Sequence, residues 1–115
     1  MARKIVALDG GWKIGETEYD EVELRDIHAG DLIEAGEAAE RVVYDTNGNP
    51  TLVQSPTRMS IEVLFRQIVR IGELKDVPVT REMLTGLGPE DLDKLTREAE
   101  TLSAAAEAAV ARGRA

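Results

Sequence analysis

The residues that could most readily perform chemistry are clustered in the segment LRDIHAGDL, residues 24 to 32. The only histidine of the chain, His28, lies there between two carboxylates, Asp26 and Asp31. A carboxylate beside an imidazole can act in general acid–base catalysis, but catalysis also requires a nucleophile or a metal ion, and a pocket. No other segment supplies those groups, so the sequence predicts neither an enzyme nor a catalytic residue. It favours a solvent-facing or helix-capping role for this cluster.

Two other segments resemble ligand-binding motifs but fail their geometric requirements. With no cysteine and one histidine, a metal site would depend on carboxylates. The segment DTNGNP, which starts at Asp45, matches the first positions of a calcium loop, but its sixth residue is Pro50 and its twelfth is Pro56, where glycine and glutamate are needed. The glycines of ALDGGWKIG lack the spacing of a phosphate-binding loop. We therefore expect turns at both segments, with no metal ion and no organic cofactor.

The first third of the chain has the pattern of a small antiparallel β-sheet. A short apolar run, Ile5 to Leu8, ends at an Asp-Gly-Gly sequence that is typical of a turn. The segment TEYDEVELRDI then alternates, with Val22 and Leu24 on the apolar side. Because a hairpin is not stable alone, we expect a helix to pack on its apolar face. The β region is predicted to span residues 1–27.

The remainder, residues 28–111, is predicted to be mostly helical. HAGDLIEAGEAAERVV has helical spacing in spite of its two glycines. A core helix is predicted with Ser60 as its N-cap and Gly72 at its end. A short helical turn should follow Thr80, and the last helix should open at Pro89, which suits a first helical position. The apolar stripe of the core helix comprises Ile61, Leu64, Phe65, Ile68, Val69 and Ile71.

The segment between the first two helices can be a β-hairpin or a long loop. Asn47-Gly48 is a strong turn signal flanked by β-branched residues, and we favour an inserted hairpin around residues 42–54. The predicted fold is α+β, with a small N-terminal antiparallel β-sheet or hairpin followed by a bundle of three to four helices. We expect a single domain, residues 1–115, whose C-terminal tail, residues 112–115, frays.

The composition argues against several classes of function. Of the 115 residues, 43% are hydrophobic and 3% aromatic, which permits a modest core and little surface for stacking bases. The formal net charge of −8 repels the phosphates of nucleic acids. The apolar runs are too short for a signal sequence or a membrane span, and the absence of cysteine suits a reducing compartment. We expect a cytoplasmic protein that binds neither nucleic acid nor a membrane.

The last helix carries a narrow apolar stripe that has two interpretations. Its residues recur at intervals of three or four, as on one face of a helix. The stripe could pack against the core helix, or it could bind a partner or a second copy of the chain. Packing is the more general explanation, but a long Ala-rich stripe exceeds what so small a sheet can easily cover. The stripe consists of Leu92, Leu95, Ala99, Leu102 and Ala106.

The order of the elements and two short motifs resemble the small tail assembly chaperones of long-tailed phages, specifically the Mu-like prophage group. LRDIHAGDL is similar to a family segment of the type LREPTAGDL, although His28 replaces the usual threonine. LTGLGPEDLDKL is similar to a family pattern in which an LTGL-P step leads into a helix reading D-L-x-x-L. The resemblance extends from about Ile14 to Ala106. The matching residues are Leu24, Arg25, Ala29, Gly30, Asp31 and Leu32, and then Leu84, Thr85, Gly86, Leu87, Pro89, Asp91, Leu92 and Leu95.

In the family, the threonine at this position and the acid three residues later would form a capping box at the start of a helix. The resemblance therefore implies that His28 is a variant helix cap and that Asp31 reaches back to the His28 amide, while the cap itself is weaker or moves to Asp26. Two further departures are the Asp26-Ile27 pair, where relatives often have a proline, and the longer segment between the first two helices.

The resemblance also implies a function. A protein of this family is a non-enzymatic assembly factor of the host bacterial cytoplasm. It binds the tape measure protein and keeps its long hydrophobic helices soluble until tail-tube subunits polymerise around it. The implied partners are the tape measure protein and, less directly, the tail tube protein. A homo-oligomer is also possible. The alternative is a structural tail or tail-completion protein that oligomerises and remains in the virion. The predicted client-binding residues are Leu92, Leu95, Ala99, Leu102 and Ala106.

Overall fold

The computed structural model describes the backbone of residues 2–113 and the side chains of residues 2–104. Strands dominate the first part of the chain and helices the rest, so the predicted α+β class is confirmed. In chain order the elements are β1 (Arg3–Ile14), β2 (Thr17–Arg25), α1 (Ala29–Ala38), β3 (Glu40–Tyr44), β4 (Pro50–Gln54), α2 (Pro56–Gln67), β5 (Ile68–Ile71), β6 (Leu74–Lys75), a 3₁₀ helix (Glu82–Gly86) and α3 (Pro89–Gly113).

The main sheet has four antiparallel strands in the order β1-β2-β5-β6. It is wider than the predicted hairpin because β5 and β6, which come much later in the chain, pair beside β2. The alternation of β2 is confirmed, since Val22 and Leu24 are fully buried. Charged residues cover the other face, where the Arg70 guanidinium donates to the carboxylates of Glu21 and Glu23, both at 2.9 Å.

A second sheet consists of β3 and β4 alone. These strands form the hairpin that the Asn47-Gly48 turn signal predicts, so the hairpin interpretation of this segment is confirmed over the loop. The hairpin follows α1 directly and leads directly into α2.

The predicted bounds of the core helix are wrong at both ends. The helix starts at Pro56 rather than after Ser60, and its N-cap is Ser55. It ends at Gln67, where the chain becomes β5. The last apolar residues of the predicted helix lie in β5. They satisfy helical spacing, but they are mostly β-branched and the strand pairs with β2. This pairing prevails over the helical pattern.

One hydrophobic core lies between the main sheet and helices α2 and α3. At its centre Trp12 is fully buried, and its indole nitrogen donates to the carbonyl of Met83 at 2.7 Å. A helix therefore packs on the apolar face of the sheet, as expected for a sheet that is not stable alone. The core residues are Val6, Leu8, Trp12, Val22, Leu24, Leu64, Ile71, Leu95, Ala99 and Leu102.

The start of α3 is fastened to β1 by polar contacts. The buried carboxylate of Asp91 accepts hydrogen bonds from the amides of Asp9 and Gly10, at 3.0 and 2.9 Å. The ammonium group of Lys94 donates to the carbonyl of Ala7 at 2.6 Å. A carboxylate in the first turn of a helix is also stabilised by the helix dipole. These contacts fix where α3 begins on the sheet.

The segment that contains the histidine is the junction between β2 and α1. His28 is the N-cap of α1 and has an extended backbone (φ −106°, ψ 160°). The carboxylate of Asp31 accepts the His28 amide at 2.9 Å, which confirms the contact that the family resemblance implies. The same carboxylate accepts two hydrogen bonds from the Arg25 guanidinium, at 2.8 and 3.1 Å. The imidazole itself is half exposed, with Nδ1 3.8 Å from the Asp31 carboxylate.

The electrostatics of this junction depend on pH. The Arg25 guanidinium, and then the His28 amide, hold the pKa of the Asp31 carboxyl below its usual value, against the opposing effect of burial. The unfolded chain has an ordinary aspartate pKa of about 3.9. A carboxyl with a lower pKa in the folded state stabilises the fold above the unfolded pKa, and this contribution is lost as the pH falls through the folded pKa.

We predict that Asp31→Asn lowers the free energy of unfolding at neutral pH by about 1 to 3 kcal/mol, because α1 loses a charge-assisted capping contact and Arg25 loses its partner. The variant should also lose less stability than the wild type between about pH 5 and about pH 2. Urea unfolding followed by the fluorescence of the buried Trp12 measures both effects. Asp93→Asn is the matched control, because Asp93 and its partner Arg97 are 67% and 69% exposed, and should cost less than about 0.5 kcal/mol. Equal losses in the two variants would contradict the prediction.

We predict that His28→Thr stabilises the protein by about 0.5 to 1 kcal/mol, because a threonine hydroxyl at an N-cap accepts an amide of the first turn more readily than a half-exposed imidazole does. The same urea unfolding measures the change. A loss of stability greater than about 1 kcal/mol would show that the imidazole has a structural role that capping does not explain.

Candidate protein-binding surface

The structure places most of the predicted client stripe of α3 inside the core. Leu95, Ala99 and Leu102 are 0%, 3% and 9% exposed, and they pack with the apolar residues of the sheet and α2. These three residues are therefore not available as a surface in the folded monomer, because α3 packs on β1, β2 and α2. Leu92 is half-buried, and Ala106 lies outside the residues whose side chains the structure describes.

Exposed apolar side chains are concentrated instead in α1 and in the β3–β4 hairpin. Tyr44 is 68% exposed and Leu52 is 62% exposed, although leucine usually lies in the interior. Contiguous apolar surface of this kind typically marks a site of protein interaction. The large exposed hydrophobic residues in this part of the chain are Leu32, Ile33, Val42, Val43, Tyr44 and Leu52.

One face of the hairpin is mainly apolar. Residues that lie directly opposite each other on two antiparallel strands have their side chains on the same face. The register pairs Val42 with Leu52, and Tyr44 with Pro50. Successive pairs that are two residues apart share a face, so these four side chains form one apolar face. Every residue of the two strands is exposed except Val53, which is half-buried.

The turn of the hairpin is held by its own hydrogen bonds. The carboxylate of Asp45 accepts the amides of Asn47 and Asn49, both at 2.9 Å, and these amides, that of Asn49 first, lower the pKa of Asp45. Gly48 has a φ of 79°, which favours glycine. The expectation that DTNGNP is a turn is confirmed, and the turn fixes one register for the exposed strands.

The base of the hairpin is anchored to α1. The side-chain amide of Gln54 donates to the carbonyl of Gly36 at 3.2 Å, and the amide of Ser55 donates to the carbonyl of Ala39 at 3.1 Å. Gln54 shares the face of Leu52, so the base of this face lies beside α1. Exposed apolar residues of α1 lie one turn before Gly36. We call the combined set the α1–hairpin surface: Leu32, Ile33, Val42, Tyr44, Pro50 and Leu52.

The segment that carries this surface is acidic. Residues 29 to 54 contain five carboxylates and one basic side chain, that of Arg41. Asp31 is paired with Arg25, whereas Glu37 and Glu40 are exposed. An apolar surface with an acidic rim complements a partner whose apolar face is flanked by lysine or arginine.

Among residues 2–113, the structure contains no helix that is long and apolar enough to cross a membrane. Among residues 2–104, whose side chains the structure describes, no group of three or more histidine, aspartate or glutamate residues is placed to hold a metal ion.

Comparison with known proteins identifies the family. The model of a family described as "Tail assembly protein gp41" matches residues 8–114. The chain is 38% identical over 108 residues to "Mu-like prophage FluMu protein gp41" of Haemophilus influenzae, an alignment that covers 93% of this chain and 84% of the relative. No solved structure matches the chain.

Two proteins of Escherichia phage Mu are also similar. The chain is 38% identical over 99 residues, 86% of its length, to the "Probable tail assembly protein gp41", of which the alignment covers 67%. It has the same identity over 99 residues to the "Probable tail assembly protein FS-gp41", of which it spans about half, 51%. The chain belongs to the gp41 family of tail assembly proteins of Mu-like phages.

Proposed function

We propose that this tail assembly protein is a chaperone that binds the tape measure protein and keeps it soluble in the host cytoplasm while the tail tube assembles. The observation that carries the proposal is the exposed apolar face of the β3–β4 hairpin, which the described part of the chain leaves uncovered. The tape measure protein is the client that the family resemblance implies, since its long apolar helices would otherwise aggregate.

The size of this surface suits reversible binding. Covering a large apolar side chain contributes about 1.5 to 3 kcal/mol, so Tyr44 and Leu52 together contribute about twice that. The loss of rotational and translational freedom on association offsets much of the gain. Binding of moderate strength is useful to a chaperone, because the client must later be released to the tail tube.

Charge supports the same role. At a net charge of −8, complexes repel each other and stay dispersed. The exposed carboxylates of Glu37 and Glu40 beside the apolar face attract a basic client segment and speed its association. A chaperone of this kind covers the apolar part of its client and gives the complex an acidic exterior.

We predict that co-expression of the chain with the tape measure protein of the same phage or prophage gives a soluble complex. The double variant Tyr44→Thr with Leu52→Thr should weaken this complex at least about tenfold, because truncation of central apolar contacts typically costs more than about 1 kcal/mol each. Threonine keeps the β-propensity of the strands. Pull-down followed by isothermal titration measures the effect.

The matched control is Val77→Thr, which removes an exposed valine, 45% exposed, from outside the α1–hairpin surface. It should leave binding unchanged. Leu95→Asp is unsuitable, because Leu95 is fully buried and the charge would unfold the core. Absence of any complex would contradict the proposed function, whereas a complex that tolerates the hairpin variant would contradict only the binding surface.

We predict that purified tails contain the tape measure protein and less than about one copy of this chain per tail, because a chaperone leaves when tube subunits take its place on the client. Quantitative mass spectrometry of tails from the encoding phage measures the ratio. A stoichiometric amount of the chain in finished tails would contradict the chaperone role and would support the alternative, a structural tail protein that stays in the virion.

A further inference from the structure

The β3–β4 hairpin has an outer edge on each strand. At the turn, the amide of Asp45 donates to the carbonyl of Asn49 at 3.0 Å, and at the base the amide of Ser55 donates to the carbonyl of Ala39. Between these two hydrogen-bonded pairs, bonded and non-bonded pairs alternate along the two strands. Residues at odd-numbered positions of β3 therefore bond to β4. The backbone groups of the even-numbered positions point away from β4, towards the outer edge of β3. These positions are Glu40, Val42 and Tyr44.

The two edges of the hairpin differ. The outer edge of β4 includes Pro50, which has no amide hydrogen to donate and so blocks pairing with a further strand. The outer edge of β3 has a complete set of donors and acceptors, with neither proline nor a bulge. An exposed edge of this kind is a template for another strand.

The outer edge of β1 in the main sheet provides a contrast. Leu87 forms a bridge with Trp12 there, and Lys94 and Asp91 bond to backbone groups of the same strand. That part of the β1 edge is covered by the chain itself, whereas no strand among the described residues pairs with the outer edge of β3.

The sequence of β3 fits a second copy of itself. In an antiparallel pairing centred on Val42, Val42 lies opposite Val42 of the second copy, and Glu40 lies opposite Tyr44. The three bonded pairs would exchange about six hydrogen bonds, two for each pair. On the other face Arg41 lies opposite Val43, so no like charges meet. A pairing centred on Arg41 would instead place two guanidinium groups opposite each other, which is unfavourable.

From this edge and its self-complementary register, we propose that two copies of the chain form a homodimer by antiparallel pairing of β3 with β3, which gives a four-stranded sheet in the order β4-β3-β3-β4. The contact is isologous and closes on itself, as the commonest dimers do. It joins the two apolar hairpin faces into one platform that carries Val42, Tyr44 and Leu52 of both copies. A four-stranded sheet is also more stable than the isolated two-stranded hairpin.

Disulfide trapping tests the proposal directly, because the chain has no cysteine of its own. In the dimer, the Cα atoms of position 42 in the two copies are about 5.5 Å apart, as in any bonded pair, which is within the range of a disulfide. Position 52 of each copy is separated from its equivalent by three strand spacings, about 14 Å. Val42→Cys should therefore form a disulfide dimer at least about tenfold faster than Leu52→Cys.

The two cysteine variants are well matched. Val42 and Leu52 belong to the same cross-strand pair and are 54% and 62% exposed, so random collisions would oxidise both at similar rates. Non-reducing electrophoresis of samples taken during mild oxidation measures the rates of disulfide formation. The oxidation is carried out at physiological ionic strength, where repulsion between the acidic copies is screened beyond about 8 Å. Similar rates in the two variants, or faster oxidation of Leu52→Cys, would overturn the proposal.

Sedimentation equilibrium provides a second test without cysteine. Val42→Pro removes the central outward amide of β3, and Leu52→Pro removes the outward amide directly across the hairpin. The wild type and Leu52→Pro should dimerise alike, whereas Val42→Pro should raise the dissociation constant at least about tenfold, because the central pair loses both of its bonds. A wild type that stays monomeric up to a few hundred micromolar would overturn the proposal, as would equal effects of the two proline variants. If either proline variant fails to fold by Trp12 fluorescence, the cysteine pair decides.

Discussion

The buried side-chain amide of Gln67 joins three parts of the fold that are distant in the sequence. It donates to the carbonyl of Arg25 at the end of β2, at 3.0 Å, and to the carbonyl of Ala99 in α3, at 3.2 Å. A buried donor without a partner costs about 1 to 3 kcal/mol, so the site where α2 ends and β5 begins must lie within reach of both carbonyls. This requirement sets the positions of α2, β2 and α3 relative to one another.

The position of the candidate binding surface depends on the same buried amide. Arg25, whose carbonyl accepts from Gln67, also directs its guanidinium to Asp31, and Asp31 holds the first turn of α1 through the amide of His28. α1 then supports the hairpin through Gly36. The exposed hairpin therefore has a rigid base, although its own strands contribute nothing to the core. A surface that is fixed at its base and apolar along its length can bind a partner without first becoming ordered, which lowers the entropic cost of binding.

Several parts of the fold that depend on local signals are predictable from the sequence. The turn predicted at Asp9-Gly10-Gly11 is wrong, because β1 continues through these residues to Ile14 with an irregularity in its pairing with β2. Alternation identifies Val22 and Leu24 as the buried face of β2, and Asn47-Gly48 identifies the hairpin, because each signal lies within a few residues of its effect. The end of α2 is not predictable in this way. Residues 68 to 71 satisfy both the helical and the strand patterns, and only pairing with β2, more than 40 positions earlier, decides between them.

The position of the candidate site also depends on which distant segments pack together, and local sequence patterns predict it less well than they predict the strands. An apolar stripe on a helix looks alike whether a partner or the chain's own core covers it, and Leu95 is covered by the core between α2 and the strands β1 and β2. The hairpin carries a more specific signal. On β3 the two apolar residues Val42 and Tyr44 share one face, whereas Val43 shares the other face with Arg41. The face of Val42 and Tyr44 is exposed among the residues that the structure describes, and a partner surface is the physical way to cover it.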